Sequence, residues 1–227
     1  MANVPRSHSA SPNLRVGAIA GFFSLAFFIP AFLLLPTIIQ AFDPSAVDRG
    51  LAQLASHRIS AVVCQNCFAL WDIAFIVFIW PVATMARPAG RSLAWLGALL
   101  TTVSSALDVL VAASLITVTR FIAPHAATDP AMHGAASALL GFASVIDSGE
   151  GYPGSVGFLA LAVAAWRGQW CPKWLAVIGL AIGAVSLPTS GPFLFIYFIL
   201  TVIWVTGMSI LLWRRASDVE DCENDCG

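Results

Sequence analysis

From Val16 to Gln40 the chain is almost uninterruptedly apolar. At about 1.5 Å per helical residue this run is long enough to cross a bilayer with some tilt. It exceeds the roughly 7–15 apolar residues of a cleaved signal peptide, so it reads as a retained span. A second apolar run extends from Ile59 to Ala83 and a third from Ser92 to Val118. The short basic turn Arg87, Pro88, Ala89, Gly90, Arg91 lies between them, and the pattern predicts a tight antiparallel hairpin. Met132 to Trp166 is too long for one simple crossing and is punctuated by Gly149, Gly151, Pro153 and Gly154. Dividing it there predicts an outer-surface or re-entrant helix from Met132 to Ile146 and a fourth crossing from Asp147 to Trp166. Trp174 to Leu187 supplies a short fifth span and Phe193 to Trp213 the sixth, with Pro188 and Gly191 in the turn. After the first span, Asp43 and Pro44 form a helix start, and Val47, Leu51 and Leu54 recur on one face, which predicts a short interfacial helix. Its plain role is to connect two spans along the membrane surface.

The predicted architecture is therefore all-α: a polytopic membrane helix bundle of about six transmembrane helices, with short interfacial helices on the outer side. Residues 1–13, rich in Ser and Pro, read as an unstructured cytoplasmic tail, residues 14–215 as the membrane domain, and residues 216–227 as an acidic cytoplasmic tail. Composition agrees. Hydrophobic residues make up 59% of the chain and charged residues only 10%, with a mean hydropathy of +0.85. A soluble fold of this size needs far more surface charge, whereas a bilayer is an apolar solvent for outward helix faces. The lipid bilayer is the first partner this implies, and a net charge of -1 gives no reason to expect nucleic acid.

Orientation follows from the basic residues, which are retained on the cytoplasmic side of span ends. In a six-span arrangement Arg6, Arg15, Arg87, Arg91, Arg167, Lys173, Arg214 and Arg215 fall on one side, and only Arg49, Arg58 and Arg120 on the other. This places both termini in the cytoplasm. Trp80, Trp95, Trp166, Trp170, Trp174 and Trp213 all fall near the same inner boundary, where an amphipathic ring is well solvated. The spacings Gly17–Gly21 and Gly179–Gly183 allow close helix approach and read as packing within the bundle.

Carboxyls inside hydrocarbon are costly, so each is a functional candidate. Asp72 lies near the middle of the second span and Asp108 a little outside the middle of the third; antiparallel packing would bring them to similar depth. Thr101, Ser104 or Ser105, and Asp108 recur at helical spacing and form one polar stripe. A small hydrated cavity between these spans is expected, serving a small solute, an ion or a proton. The plainer account is a neutral Asp that hydrogen-bonds two helices together. Asp147 and Glu150 open the fourth span beside Ser148, Tyr152 and Ser155, and there they either complement the helix dipole or line an outer mouth.

Cys64 and Cys67 share a helical face near the outer end of the second span. On an oxidising side such a pair could form a redox-active disulfide; two small core residues are the plainer account. No histidine follows Cys67 to make a haem attachment signature, and no second CxxC completes a zinc site. Cys222 and Cys226, in the acidic tail, are expected to be reduced, and His125 and His133 to be ordinary solvated loop histidines. No metal site and no cofactor is assigned. A Walker-type phosphate loop, an HExxH helix and a G-x-S-x-G elbow are all missing from the chain.

Several pieces look like a known organisation: Arg15 and Gly17 opening the first span, the lone Asp72 in the second, the Gly- and Tyr-containing start of the fourth, and the run Pro172, Lys173, Trp174, Leu175 with Gly179 opening the fifth. Over residues 15–215 the chain resembles a bacterial six-helix membrane family catalogued only as a domain of unknown function. The resemblance implies a six-helix fold in a bacterial inner membrane and carries no active site. Cys64, Cys67 and the Cys-bearing tail stand outside that pattern. Three functions follow for test: a membrane protein handling a small solute, ion or proton at Asp72 and Asp108; an accessory or scaffold protein that binds another membrane protein; and a thiol oxidoreductase using Cys64 and Cys67.

Overall fold

Long apolar runs fold as helices because a helix satisfies its own backbone hydrogen bonds, whatever solvent surrounds it. The computed structural model describes residues 10–39, 43, 46–126, 128–186 and 192–224. Among these residues the elements are helical: α1 (Ala10–Leu34), α2 (Val47–Ser56), α3 (Arg58–Thr84), α4 (Arg91–Thr117), α5 (Ala123–Ala126), α6 (Pro130–Gly168), α7 (Lys173–Val185) and α8 (Pro192–Asn224). A π-helical turn, Val118–Ile122, joins α4 to α5. Four helical stretches are long and apolar enough to cross a membrane: Pro12–Thr37, Arg58–Thr84, Pro88–Ala126 and Phe193–Glu220.

Side-chain contacts fix the direction of each long helix. Cys64 on α3 bonds the Ala31 carbonyl near the end of α1, while Gly17 near the start of α1 abuts Pro81 near the end of α3, so these two run antiparallel. Gln65 meets Thr119 at one end of the α3–α4 pair and Trp80 meets Trp95 at the other. Gly97 of α4 touches Leu161 of α6, and Ser104 touches Gly154. Gly183 of α7 meets Leu159, Gly179 meets Ala162, and Gly207 of α8 meets Leu175. The helices α1, α3, α4, α6, α7 and α8 thus alternate up and down. Arg15 pairs with Glu220, which puts the start of α1 and the end of α8 at one end of the bundle.

Two apolar clusters divide the interior. One, around Phe75, Phe78, Ile79, Leu161, Met208 and Leu212, fills the half nearest the termini. The other, around Ile38, Leu54, Leu115, Val118 and Leu140, fills the opposite half. Outward positions such as Phe23, Leu33, Ile59, Phe121 and Phe195 are exposed and apolar, whereas Ser24, Gln65, Asp72, Thr101, Ser155 and Thr201 are buried. Apolar side chains thus cover the outside of the bundle as well as filling its interior, which suits an apolar solvent.

Three sequence expectations need correction. The break placed between Ile146 and Asp147 is absent, because α6 runs unbroken from Pro130 to Gly168. Asp129 caps its start, accepting a hydrogen bond from the Ala131 amide at 2.8 Å, and Gln169 in the left-handed region ends it. Pro153 sits inside it. A Cβ at Gly157 would lie 2.9 Å from the Thr101 backbone nitrogen, and one at Gly154 would lie 2.7 Å from Ser104 Oγ. These glycines therefore serve close packing on α4, and that contact supports the helix through the proline. Second, α8 continues through the acidic segment as far as Asn224, where the composition suggested a free tail from residue 216. Ala216 is buried and the Arg15–Glu220 pair ties the segment to α1. Third, α1 begins at Ala10, inside the stretch read as a tail ending at residue 13. The short outer helix is present as α2, with Leu51 and Leu54 buried; Pro44 lies outside the described residues. Both glycine pairs pack internally, Gly17 and Gly21 on α3 and α8, Gly179 and Gly183 on α6.

Candidate functional site

Between the two apolar clusters lies a cavity of about 310 Å³. α3 presents Gln65 and Asp72, two helical turns apart on one face, with Trp71 and Phe75 beside them. α4 adds the stripe Thr101, Ser104, Ser105 and Asp108; α6 adds Asp147 and Glu150; α8 adds Tyr197. The lining continues to Leu35, Ile38 and Ile39 at the end of α1, so the chamber occupies the half of the bundle away from the termini. All the polar-core candidates read from the sequence meet there: Asp72, Asp108, Asp147, Glu150, Ser104 and Ser105.

The polar contacts are specific. Asp108 and Glu150 both line the chamber, and the buried Glu150 Oε2 has no hydrogen-bond partner. Ser104 Oγ donates to the Glu150 carbonyl at 2.9 Å, pinning α4 to α6 beside that pair. Ser105 and the Trp71 side chain face the Asp72 carboxyl. Asp72 is 1% exposed, yet its Oδ1 receives no hydrogen bond. Gln65 donates through Nε2 to Thr119 Oγ1 at 3.3 Å, while its Oε1 has no donor. Among the described residues, no Lys, Arg or His lines the chamber. Four carboxyls thus share one enclosed space without a counter-charge, and at low effective dielectric they cannot all be ionised together.

Beneath the carboxyls is an aromatic floor. Phe28 stacks on Trp71 with ring centroids 4.2 Å apart, Trp71 on Phe75 at 4.9 Å, and Phe75 meets Phe158 at 6.1 Å. These rings separate the chamber from the half of the bundle that carries the termini.

Other sequence candidates behave differently. Cys64 is fully buried and donates its thiol to the Ala31 carbonyl at 3.3 Å; Cys67 is half-buried, and both are free thiols. Burial pushes the Cys171 thiol up to about 11, leaving little thiolate at neutral pH. His133 is paired with Asp48 at 2.8 Å. Cys226 and the Cys222 side chain lie outside the described residues. Among the described residues, no three His, Cys, Asp or Glu side chains gather at metal-binding distance.

Tyr197, Gln65, Trp71 and Ser186 line the chamber too and were not singled out from sequence. The spacing of Gln65 to Asp72 was a usable signal, since it places two polar side chains on one face of an apolar helix. Tyr197 carried no such signal. No family model, curated protein or solved structure matches the chain, so the functional reading rests on this geometry.

Proposed function

We propose that this chain is a six-span integral membrane protein whose acidic chamber takes up a proton or a small cationic solute from the side opposite the termini. Four long apolar helices support the membrane location. The antiparallel packing of α6 and α7 between them supports two further crossings, although α7 at 13 residues covers only about 20 Å of a bilayer core about 30 Å thick. The basic residues Arg87, Arg91, Arg167, Lys173, Arg214 and Arg215 lie at the end of the bundle that holds the termini, which favours a cytoplasmic location for that end. A bacterial inner membrane is the setting that the six-helix resemblance favours.

The observation that carries the functional reading is the convergence of Asp72, Asp108, Asp147 and Glu150 on one cavity that, among the described residues, no basic side chain lines. A carboxyl that only joined two helices would be saturated by their donors, and Asp72 Oδ1 is not. The buried position of Cys64, together with its bond to α1, favours a packing role over thiol exchange.

Carbodiimide labelling tests the reading, because the reagent modifies protonated carboxyls in apolar surroundings. The protein in liposomes is expected to be labelled at Glu150 or Asp108 at neutral pH; mass spectrometry locates the sites. Absence of labelling at all four chamber carboxyls would contradict it.

A further inference from the structure

The chamber has more than acidity, and its other properties narrow what it takes. Resting on the reading of the chamber as a cation or proton site, we propose that its ligand is an organic monocation: an ammonium head on an apolar or aromatic body of about ten non-hydrogen atoms. Four observations lead there.

Asp72 and Gln65 both line the cavity, each is 1% exposed, and each carries a buried oxygen, Oδ1 and Oε1, without a hydrogen-bond partner. Two buried acceptors without donors ask for a ligand that brings N–H groups. An ammonium has up to three, and it also supplies the missing positive charge.

The second observation is the ring floor. Trp71 directly precedes Asp72 in sequence and stacks between Phe28 and Phe75. A cation at Asp72 therefore sits beside aromatic rings, which attract cations through their quadrupoles and cover an apolar body. A bare proton site has no use for such a surface.

Third, the size is wrong for a single atom. About 310 Å³ is the room of roughly ten water molecules. Fourth, the carboxyls line one space but do not meet at one point in it: among the described residues no three of them come together as metal ligands. A dehydrated metal ion requires several oxygens at about 2.0–2.6 Å, whereas an extended cation needs one carboxylate at its head and apolar walls along its length.

The test is calorimetric titration of the full-length protein in detergent with phenethylamine, its neutral isostere 2-phenylethanol, and sodium and calcium chloride. Saturable one-site binding of the amine is expected, with the alcohol weaker by about tenfold or more. Asp72→Asn should weaken the amine by at least about tenfold, while Asp72→Glu retains most of the affinity. Trp71→Leu should weaken it by about three- to thirtyfold. Asp48→Asn, on the exposed outer helix, should leave it unchanged.

Equal affinity for amine and alcohol, or amine binding indifferent to both Asp72→Asn and Trp71→Leu, would overturn the proposal. So would tight calcium binding that the amine does not displace. If carbodiimide still labels the chamber carboxyls while no amine binds, the organic-cation inference fails and the proton site stands. If neither happens, both fail.

Discussion

Asp72 is almost completely buried and one of its oxygens accepts nothing. An unsatisfied buried polar atom costs about 1–3 kcal/mol, so this side chain works against folding. Asp72→Leu is therefore expected to leave thermal stability in detergent unchanged or to raise it, because removing an unpaired buried polar group commonly stabilises. A loss of about 1–3 kcal/mol on that substitution would instead mark Asp72 as a hydrogen-bonded link between helices. The sequence alone favoured the link slightly. What it could not display was the saturation of each oxygen, which depends on side chains of α4 meeting α3. Gln65 makes the same point. Its spacing to Asp72 was legible, but its unpartnered oxygen is a property of the assembled cavity.

The elements were legible wherever one solvent preference ran unbroken. α1, α3 and α4 closely follow the apolar runs that predicted them. α6 was misjudged because glycine and proline in a run are ambiguous: they can end a helix, or they can allow another backbone to come close. The contacts of Gly97 and Gly157 across the α4–α6 interface decide for the second. Gly157→Leu should accordingly destabilise the protein by about 1–3 kcal/mol. Gly141→Ala and Gly149→Ala, whose added methyls would meet nothing within 4 Å, should stabilise α6 by about 0.5–1 kcal/mol each. Thermal denaturation of the three variants in one detergent compares them directly; stabilisation by Gly157→Leu would contradict the packing of α6 on α4. The end of α8 was misjudged for a different reason. Its acidic composition reads as solvated, and the Arg15–Glu220 pair that helps hold it spans almost the whole chain.

At the scale of the molecule, the up-and-down alternation puts the start of α1 and the end of α8 at one end of the bundle, the end that also carries Arg87, Arg167 and Arg215. The meeting of the four carboxyls was only half legible. Asp72 with Asp108 follows from adjacent antiparallel spans, but the sequence leaves Asp147 and Glu150 either complementing a helix dipole or lining an outer mouth, since the position of α6 against α4 depends on small-residue contacts far apart in sequence. The resulting chamber belongs to the half of the bundle opposite the termini, closed beneath by Phe28, Trp71, Phe75 and Phe158. The proposed uptake from the side opposite the termini requires that water reach this half of the bundle from that side only.

The most direct measurement is the accessibility of Ser104→Cys, in a background with the native cysteines replaced by serine, to a membrane-impermeant thiol reagent applied to sealed vesicles of known orientation. Labelling from the side opposite the termini, slowed by phenethylamine, is the predicted result. Labelling only from the side of the termini, or from neither side in a protein that still folds, would contradict it.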